Sequence, residues 1–170
     1  TIEYNRDKGL GISVYIGQQR GSASTSDFSP KAVRDTVDAA LNIARYTAID
    51  DCAGLPEQEM LATEFPDLDL YYPWLLDVDG AIALANRCEQ AAFATDKRIK
   101  NSEGASVSVH ESQFVYANSL GFVGGYPTSR HSISCSVIAG KNAAMQRDYW
   151  YSEARDPADM LDAEKVGRIT

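Results

Sequence analysis

The feature that most constrains the fold is a change of hydrophobic period along the chain. Leu10, Ile12, Val14 and Ile16 alternate with Gly11, Ser13, Tyr15 and Gly17, the period of two of a strand with one face inward. Arg20 to Ser26 reads as its hairpin partner. From Val33 the apolar residues instead recur at helical spacing, through Val37, Ala40, Leu41, Ala44 and Ala48. Ser29 and Pro30 supply a cap and a first-turn residue, so a helix is expected over 30–48. A second is expected over 80–95, capped by Asp79, with Ala81, Leu84, Ala85, Cys88, Ala91 and Ala92 on one stripe. Period two then returns in Val107 and Val109, in Val115 and Ala117, and in Ile133, Cys135, Val137 and Ala139. Glu111-Ser112, Ser119-Leu120-Gly121 and Gly140-Lys141-Asn142 read as turns of a meander, Arg147 to Ser152 as a further strand, and Asp156-Pro157 as the start of a final helix. The pattern predicts an α+β fold. Its antiparallel β-sheet, a meander plus a hairpin, would contain 9–18, 105–118 and 130–139, with two main helices packed on one face.

A composition of 44% hydrophobic and 24% charged residues belongs to a globular chain and argues against disorder. The net charge of -8 would repel a phosphate backbone, and no Lys/Arg stripe reverses it locally, so no direct nucleic-acid partner is expected. Much of that charge comes from Tyr46–Asn86, which holds no Lys or Arg but contains Asp50, Asp51, Glu57, Glu59, Glu64, Asp67, Asp69, Asp77 and Asp79. Pro56, Pro66 and Pro73 break regular structure there. The stretch reads either as a solvated connector pegged by Phe65, Tyr71, Tyr72 and Trp74, or as a recognition surface for a basic partner. Cys52, Cys88 and Cys135 offer neither a disulfide framework nor a CxxC pair, so a reducing cytoplasm is expected, with all three thiols free. No apolar run is long enough to span a bilayer, and no membrane partner is expected. The first residues read as a strand already under way, and the last carry no helix stop signal, so the chain is expected to be an excised piece, truncated at both ends.

Catalytic patterns fail when tested. His110-Glu111 begins like a zinc-protease helix motif, but Phe114 and Val115 stand where a second imidazole would be required. His131, the one other histidine, leaves only a two-histidine site across neighbouring strands as an alternative to ordinary surface or hydrogen-bonded roles. The serine runs at 22–26 and 132–136 lack a nucleophile elbow. Gly121-Phe122-Val123-Gly124-Gly125 lacks the Lys-Ser/Thr of a phosphate loop, and its glycines suit turns, bulges or close backbone approach by a ligand. In Arg147-Asp148-Tyr149-Trp150-Tyr151 alternation sends Arg147 and Tyr149 to one face and Asp148 and Trp150 to the other. That cluster reads as a structural ion pair or as a binding surface.

Several words occur in a telling order: Gly21-Ser22-Ala23-Ser24-Thr25 with Asp27 and Ser29-Pro30; Ile43-Ala44-Arg45-Tyr46-Thr47 with Ala53-Gly54-Leu55; Pro66-Asp67-Leu68-Asp69-Leu70; Asp96-Lys97-Arg98-Ile99 with Asn101-Ser102-Glu103-Gly104; Asn118 with Gly121; and Arg147-Asp148-Tyr149. In this order, over nearly all 170 residues, they resemble the N-terminal domain of the PmbA/TldE branch of the TldD/PmbA family, also described as modulators of DNA gyrase. The resemblance implies a subunit of a cytoplasmic heterodimeric metalloprotease that processes a microcin and degrades an antitoxin. It implies no catalytic or metal-binding residue and no cofactor in this chain, with zinc held by an HExxxH helix in the C-terminal part of a TldD-like partner subunit. The C-terminal part of the PmbA-like protein itself would lie outside this chain. What remains for the domain is assembly and the holding of extended or unfolded peptide. The candidate peptide or partner contacts are Asn101, Ser102, Glu103, Asn118, Gly121, Gly124, Tyr126, Arg147, Asp148 and Tyr149, and the edge from Gly121 to Tyr126 would suit strand addition. The alternative is an interaction module regulating DNA gyrase through the acidic stretch.

Overall fold

The computed structural model describes all 170 residues. They divide into two compact units, 1–64 with 118–122, and 65–117 with 123–170. In the first unit β1 (Leu10–Ile16) and β2 (Gln19–Thr25) form an antiparallel hairpin. Gly17 turns it with φ +58°, a sign that suits glycine at the first central position of a tight hairpin turn. Helix α1 (Pro30–Tyr46) starts at Ser29, whose hydroxyl accepts from the Ala32 N–H, and Pro30 fills its first turn. The Asp27 carboxylate in turn accepts from the Ser29 N–H and hydroxyl, which holds its pKa below the usual value. Thr36, Ala40 and Ala44 are buried along α1. Small residues are needed there because β2 lies very close. A Cβ added at Gly21 would come 2.0 Å from the Ala40 carbonyl oxygen and 2.4 Å from the Ala44 nitrogen.

The second unit holds α2 (Val78–Thr95), β3 (Ile99–Ala117), β4 (Val123–Ala139), β5 (Gln146–Ala154) and α3 (Ala163–Ile169). Its sheet runs in the order β3-β4-β5, all antiparallel. Alternation on β4 sends Ile133, Cys135 and Val137 inward, where they meet Cys88 and Ala92 of α2 and Ala163 and Val166 of α3. Helix α3 crowds α2 as tightly as β2 crowds α1: a Cβ on Gly167 would lie 2.0 Å from the Cys88 carbonyl oxygen.

The α+β class, with a hairpin and a meander, is as the periodicity predicts, and both main helices form where expected. Four details differ. The strands belong to two sheets, because β1 and β2 pair only with each other and bury their inner face on their own helix. Glu111 and Ser112 are not a turn but sit in the ladder opposite Ser129 and Thr128; their polarity marks a stretch of ribbon exposed on both faces. Helix α2 is capped by Asp77, which accepts from the Gly80 N–H, while Asp79 lies in the first turn, where a carboxylate still suits the helix dipole. Asp156 and Pro157 open a 3₁₀ turn, and α3 starts later, on an Asp162 cap. The acidic stretch is irregular up to α2, apart from a 3₁₀ turn at Gln58–Met60. Its expected pegs are only partly seated: Trp74 packs on the core, but Phe65 and Tyr71 are 59% and 41% exposed.

Cys88 and Cys135 are buried, Cys52 is exposed, and none is bridged. Burial is the main reason the Cys88 thiol is pushed up to about 12, with neighbouring Cys135 adding to it, and burial likewise raises Cys135. Because the thiolate is the reactive form, a maleimide at neutral pH should label Cys52 alone in the folded protein and all three after denaturation. Only one reactive thiol in the denatured, unreduced chain would instead reveal a disulfide.

Candidate functional site

The candidate residues separate into two groups within the structure. In the second unit, Ser102 sits at an irregularity where the β3–β4 register shifts between Ser102 and Gly104. Its hydroxyl donates to the Ser136 carbonyl at 3.1 Å and accepts from the Gly104 N–H at 2.8 Å. Asn101 accepts from the Ser102 N–H at 2.9 Å. The shift brings Glu103 over β4 to Arg147 of β5, where Nε and Nη2 each lie 2.6 Å from one carboxylate oxygen. The Ser136 hydroxyl lies between them, 3.1 Å from Glu103 and 3.4 Å from the Asp148 carbonyl. Arg147 and Tyr149 share this face with Ser136, while Asp148 and Trp150 oppose Val137 and Cys135 on the other. The ion pair the sequence suggested therefore exists, but its acid is Glu103 rather than a residue on an adjacent strand. With both side chains about half exposed it contributes roughly 0–1 kcal/mol, so its larger effect is to fix the outer face of the sheet.

The second group surrounds the end of the long hairpin. Asn118 accepts at Oδ1 from Leu120 and Phe122 N–H groups at 3.1 and 3.3 Å, and its own N–H donates to the Phe122 carbonyl at 3.0 Å. Gly121 has φ +89°. These two residues make the turn, while the Asn118 Nδ2 is buried there without a hydrogen-bond partner. Gly124 and Tyr126 lie on β4 opposite Tyr116 and Phe114, and the Phe114 and Tyr126 rings are 5.7 Å apart.

Between the groups, β4 changes partner. Its ladder to β5 begins at His131 opposite Ala154. Two residues earlier, the Ser129 N–H donates to the Leu70 carbonyl at 2.9 Å, and the Ser129 hydroxyl accepts from the Tyr72 N–H at 2.8 Å. An extended segment thus adds to β4 where β5 stops. The Ser129 N–H faces away from β3, so alternation turns the backbone groups of Val123, Gly125 and Pro127 the same way. Proline at an open edge loses no ladder bond. Sequence reading missed Ser129 and left His131 between a metal site and a surface or hydrogen-bonded role; both residues are fully buried. His131 donates through Nε2 to the Tyr72 carbonyl at 2.8 Å and meets the Trp74 ring edge-on at 5.5 Å. Its Nδ1 has no partner.

The two histidines do not form a metal site. His110 opposes Arg130 and His131 opposes Val109, so adjacent positions on the ladder put the imidazoles on opposite faces. His110-Glu111 lies on a strand, and no cluster of three or more His, Cys, Asp or Glu converges anywhere. The residues present do not fit a zinc ion, which in structural and catalytic sites takes three or four protein ligands.

Comparison with known proteins identifies the architecture. The family model for the PmbA/TldA metallopeptidase central domain matches residues 71–170, and that for domain 1 of the same metallopeptidases matches 1–44. The chain belongs to the PmbA/TldD metallopeptidase family. The Metalloprotease PmbA of Escherichia coli O157:H7 is 49% identical over 98% of the chain, and a PmbA homolog of Haemophilus influenzae 50% identical over 92%. The chain spans only 37% and 35% of those two proteins. Among solved structures, a candidate modulator of DNA gyrase from Bacteroides thetaiotaomicron superposes with a TM-score of 0.81 at 26% identity, over 93% of this chain and 38% of that one. TldE from Thermococcus kodakarensis shares the fold at 16% identity, with a TM-score of 0.71 over 95% of this chain and 40% of that one. No helix of the PmbA-like chain is long and apolar enough to cross a membrane.

Proposed function

We propose that this chain is part of the non-zinc-binding subunit of a heterodimeric, cytoplasmic metallopeptidase, and that it helps hold extended or unfolded peptide while a TldD-like partner supplies the zinc. The observation that carries the reading is the open edge of β4 at Val123–Pro127, next to the point where Leu70–Tyr72 already adds to the same strand. Addition to such an edge gives affinity through backbone hydrogen bonds and makes little demand on sequence, which suits a peptidase acting on varied unfolded chains. Gly124 and Gly125 carry no side chain to hinder approach, and Tyr126 with Phe114 offers an aromatic surface beside it. Zinc in the partner would polarise the scissile carbonyl and activate water; no residue of this chain takes a chemical step.

The test is peptide cleavage by the full-length parent, alone and with a TldD-like subunit. Cleavage only with that subunit, weakened when alternate backbone nitrogens of the peptide are methylated, is the expected result. Chelator-sensitive cleavage by the parent alone would refute the silent-subunit reading, and equal cleavage of methylated peptides would refute strand addition. The exposed acidic stretch supports a second reading, a regulator that binds a basic protein such as gyrase; copurification with gyrase in the absence of a TldD-like subunit would favour it.

A further inference from the structure

The last strand of the β3-β4-β5 sheet, β5, has no neighbour on its outer side. Edge strands are commonly blunted by charged side chains, lysine above all, by proline or by a bulge. The sequence of β5, Gln-Arg-Asp-Tyr-Trp-Tyr-Ser-Glu-Ala, has no lysine or proline, its charges Arg147, Asp148 and Glu153 are of both signs, and its register with β4 runs unbroken from Gln146 to Ala154. Three consecutive aromatics on it, Tyr149, Trp150 and Tyr151, remain 61%, 45% and 56% exposed. Tryptophan, tyrosine and arginine are the residues enriched where proteins bind one another most strongly.

Two hydrogen bonds show which way the backbone of β5 faces. Asp148 opposes Val137 of β4 and its carbonyl lies 3.4 Å from the Ser136 side-chain hydroxyl, whereas the Tyr149 N–H is taken by the Asp148 carboxylate at 2.8 Å rather than by β4. The odd-numbered residues, Arg147, Tyr149, Tyr151 and Glu153, therefore present their N–H and C=O groups to the open side.

We propose that β5 pairs antiparallel with β5 of a second copy of this chain, about a two-fold axis at Trp150, to make one continuous six-stranded sheet. In this register Tyr149 opposes Tyr151 of the second copy, and Arg147 opposes its Glu153, twice over by symmetry. Other registers that align the open-edge groups lose this match, and those that set Arg147 on Arg147 or Glu153 on Glu153 oppose like charges. Within each copy Glu153 already binds Arg130 at 2.5 Å, and Arg147 binds Glu103 at 2.6 Å. Joining the edges would line these up as Arg130, Glu153, Arg147 and Glu103, alternating in sign across the junction. On the other face the two Trp150 side chains meet at the axis in a non-hydrogen-bonded pair, where strands approach most closely. The Tyr149 N–H exchanges its bond to Asp148 for one to the carbonyl of Tyr151 in the second copy. This surface does not depend on the peptidase reading.

Sedimentation equilibrium of the 170-residue chain should show a reversible monomer–dimer equilibrium. Arg147→Glu and Glu153→Arg should each weaken association about tenfold, since each sets like charges opposite one another twice. Mixing the two variants restores opposite charges on both sides and should restore dimerisation between them. A chain that stays monomeric at its highest soluble concentration would overturn the proposal. So would a dimer indifferent to both variants, or a mixture that associates no better than either variant alone.

Discussion

Replacing Gly167 with alanine is expected to destabilise the second unit by roughly 3 kcal/mol, and with valine by more. Two effects oppose each other at this position. Gly167 lies inside α3, where alanine would be favoured by about 1 kcal/mol on helix propensity alone. Against that, the new Cβ would stand 2.0 Å from the Cys88 carbonyl oxygen and 2.9 Å from its carbon. Both are backbone atoms of α2, so no rotamer change relieves the overlap and the helices must separate. Separation would loosen the contacts of Val166 and Ala163 with the core they share with Cys88 and Ala92. Overlap should therefore outweigh propensity. Urea denaturation measures the balance, and an alanine variant more stable than the parent would mean that α3 does not pack on α2 in this way.

The second large effect is expected at His131. Alanine there removes the bond to the Tyr72 carbonyl and the edge contact with Trp74, and leaves a cavity beside an unpaired carbonyl. The loss should be about 2–4 kcal/mol. Glutamine, which can still donate to Tyr72, should recover part of it. Because the same contacts pin the segment Leu70–Trp74 beside β4, amide exchange should accelerate at Tyr72, whose N–H is held by the Ser129 hydroxyl, more than in α2. An alanine variant of unchanged stability, with Tyr72 still protected, would show that the imidazole does not secure the segment.

The sequence reveals most where one physical signal acts alone. Helix α1 is legible because Ser29-Pro30 and the stripe from Val33 agree, although the stripe runs on to Ala48 and the helix ends at Tyr46, and the core strand β4 because Ile133, Cys135 and Val137 alternate without interruption. Legibility fails where one residue type serves two purposes. Glu111-Ser112 resembles a turn by polarity, yet a ribbon wet on both faces is polar without turning. Asp77 and Asp79 are equally good caps by composition, and only the path of the chain after Leu76 selects the first. Nothing in the local pattern separates His131 from a surface histidine, since its burial depends on a segment 59 positions away in the chain. The site shows the same division. Arg147 and Glu103 were both visible as candidate contacts, but their pairing was not, because the register shift that delivers Glu103 depends on pairing with β4. Asn118 and Gly121, read as contacts, shape the turn, which leaves the Asn118 Nδ2 buried and unpartnered.

The central claim is that the chemistry of the peptidase lies outside this chain and that the chain contributes surfaces for holding peptide and partner. Metal analysis of the purified 170-residue chain, after incubation with zinc and removal of excess ion, tests it most directly. His110 and His131 face opposite sides of the sheet, so the account predicts far less than one zinc per chain, unchanged when both histidines are replaced by glutamine. One tightly held zinc per chain, lost on replacing those histidines, would contradict it.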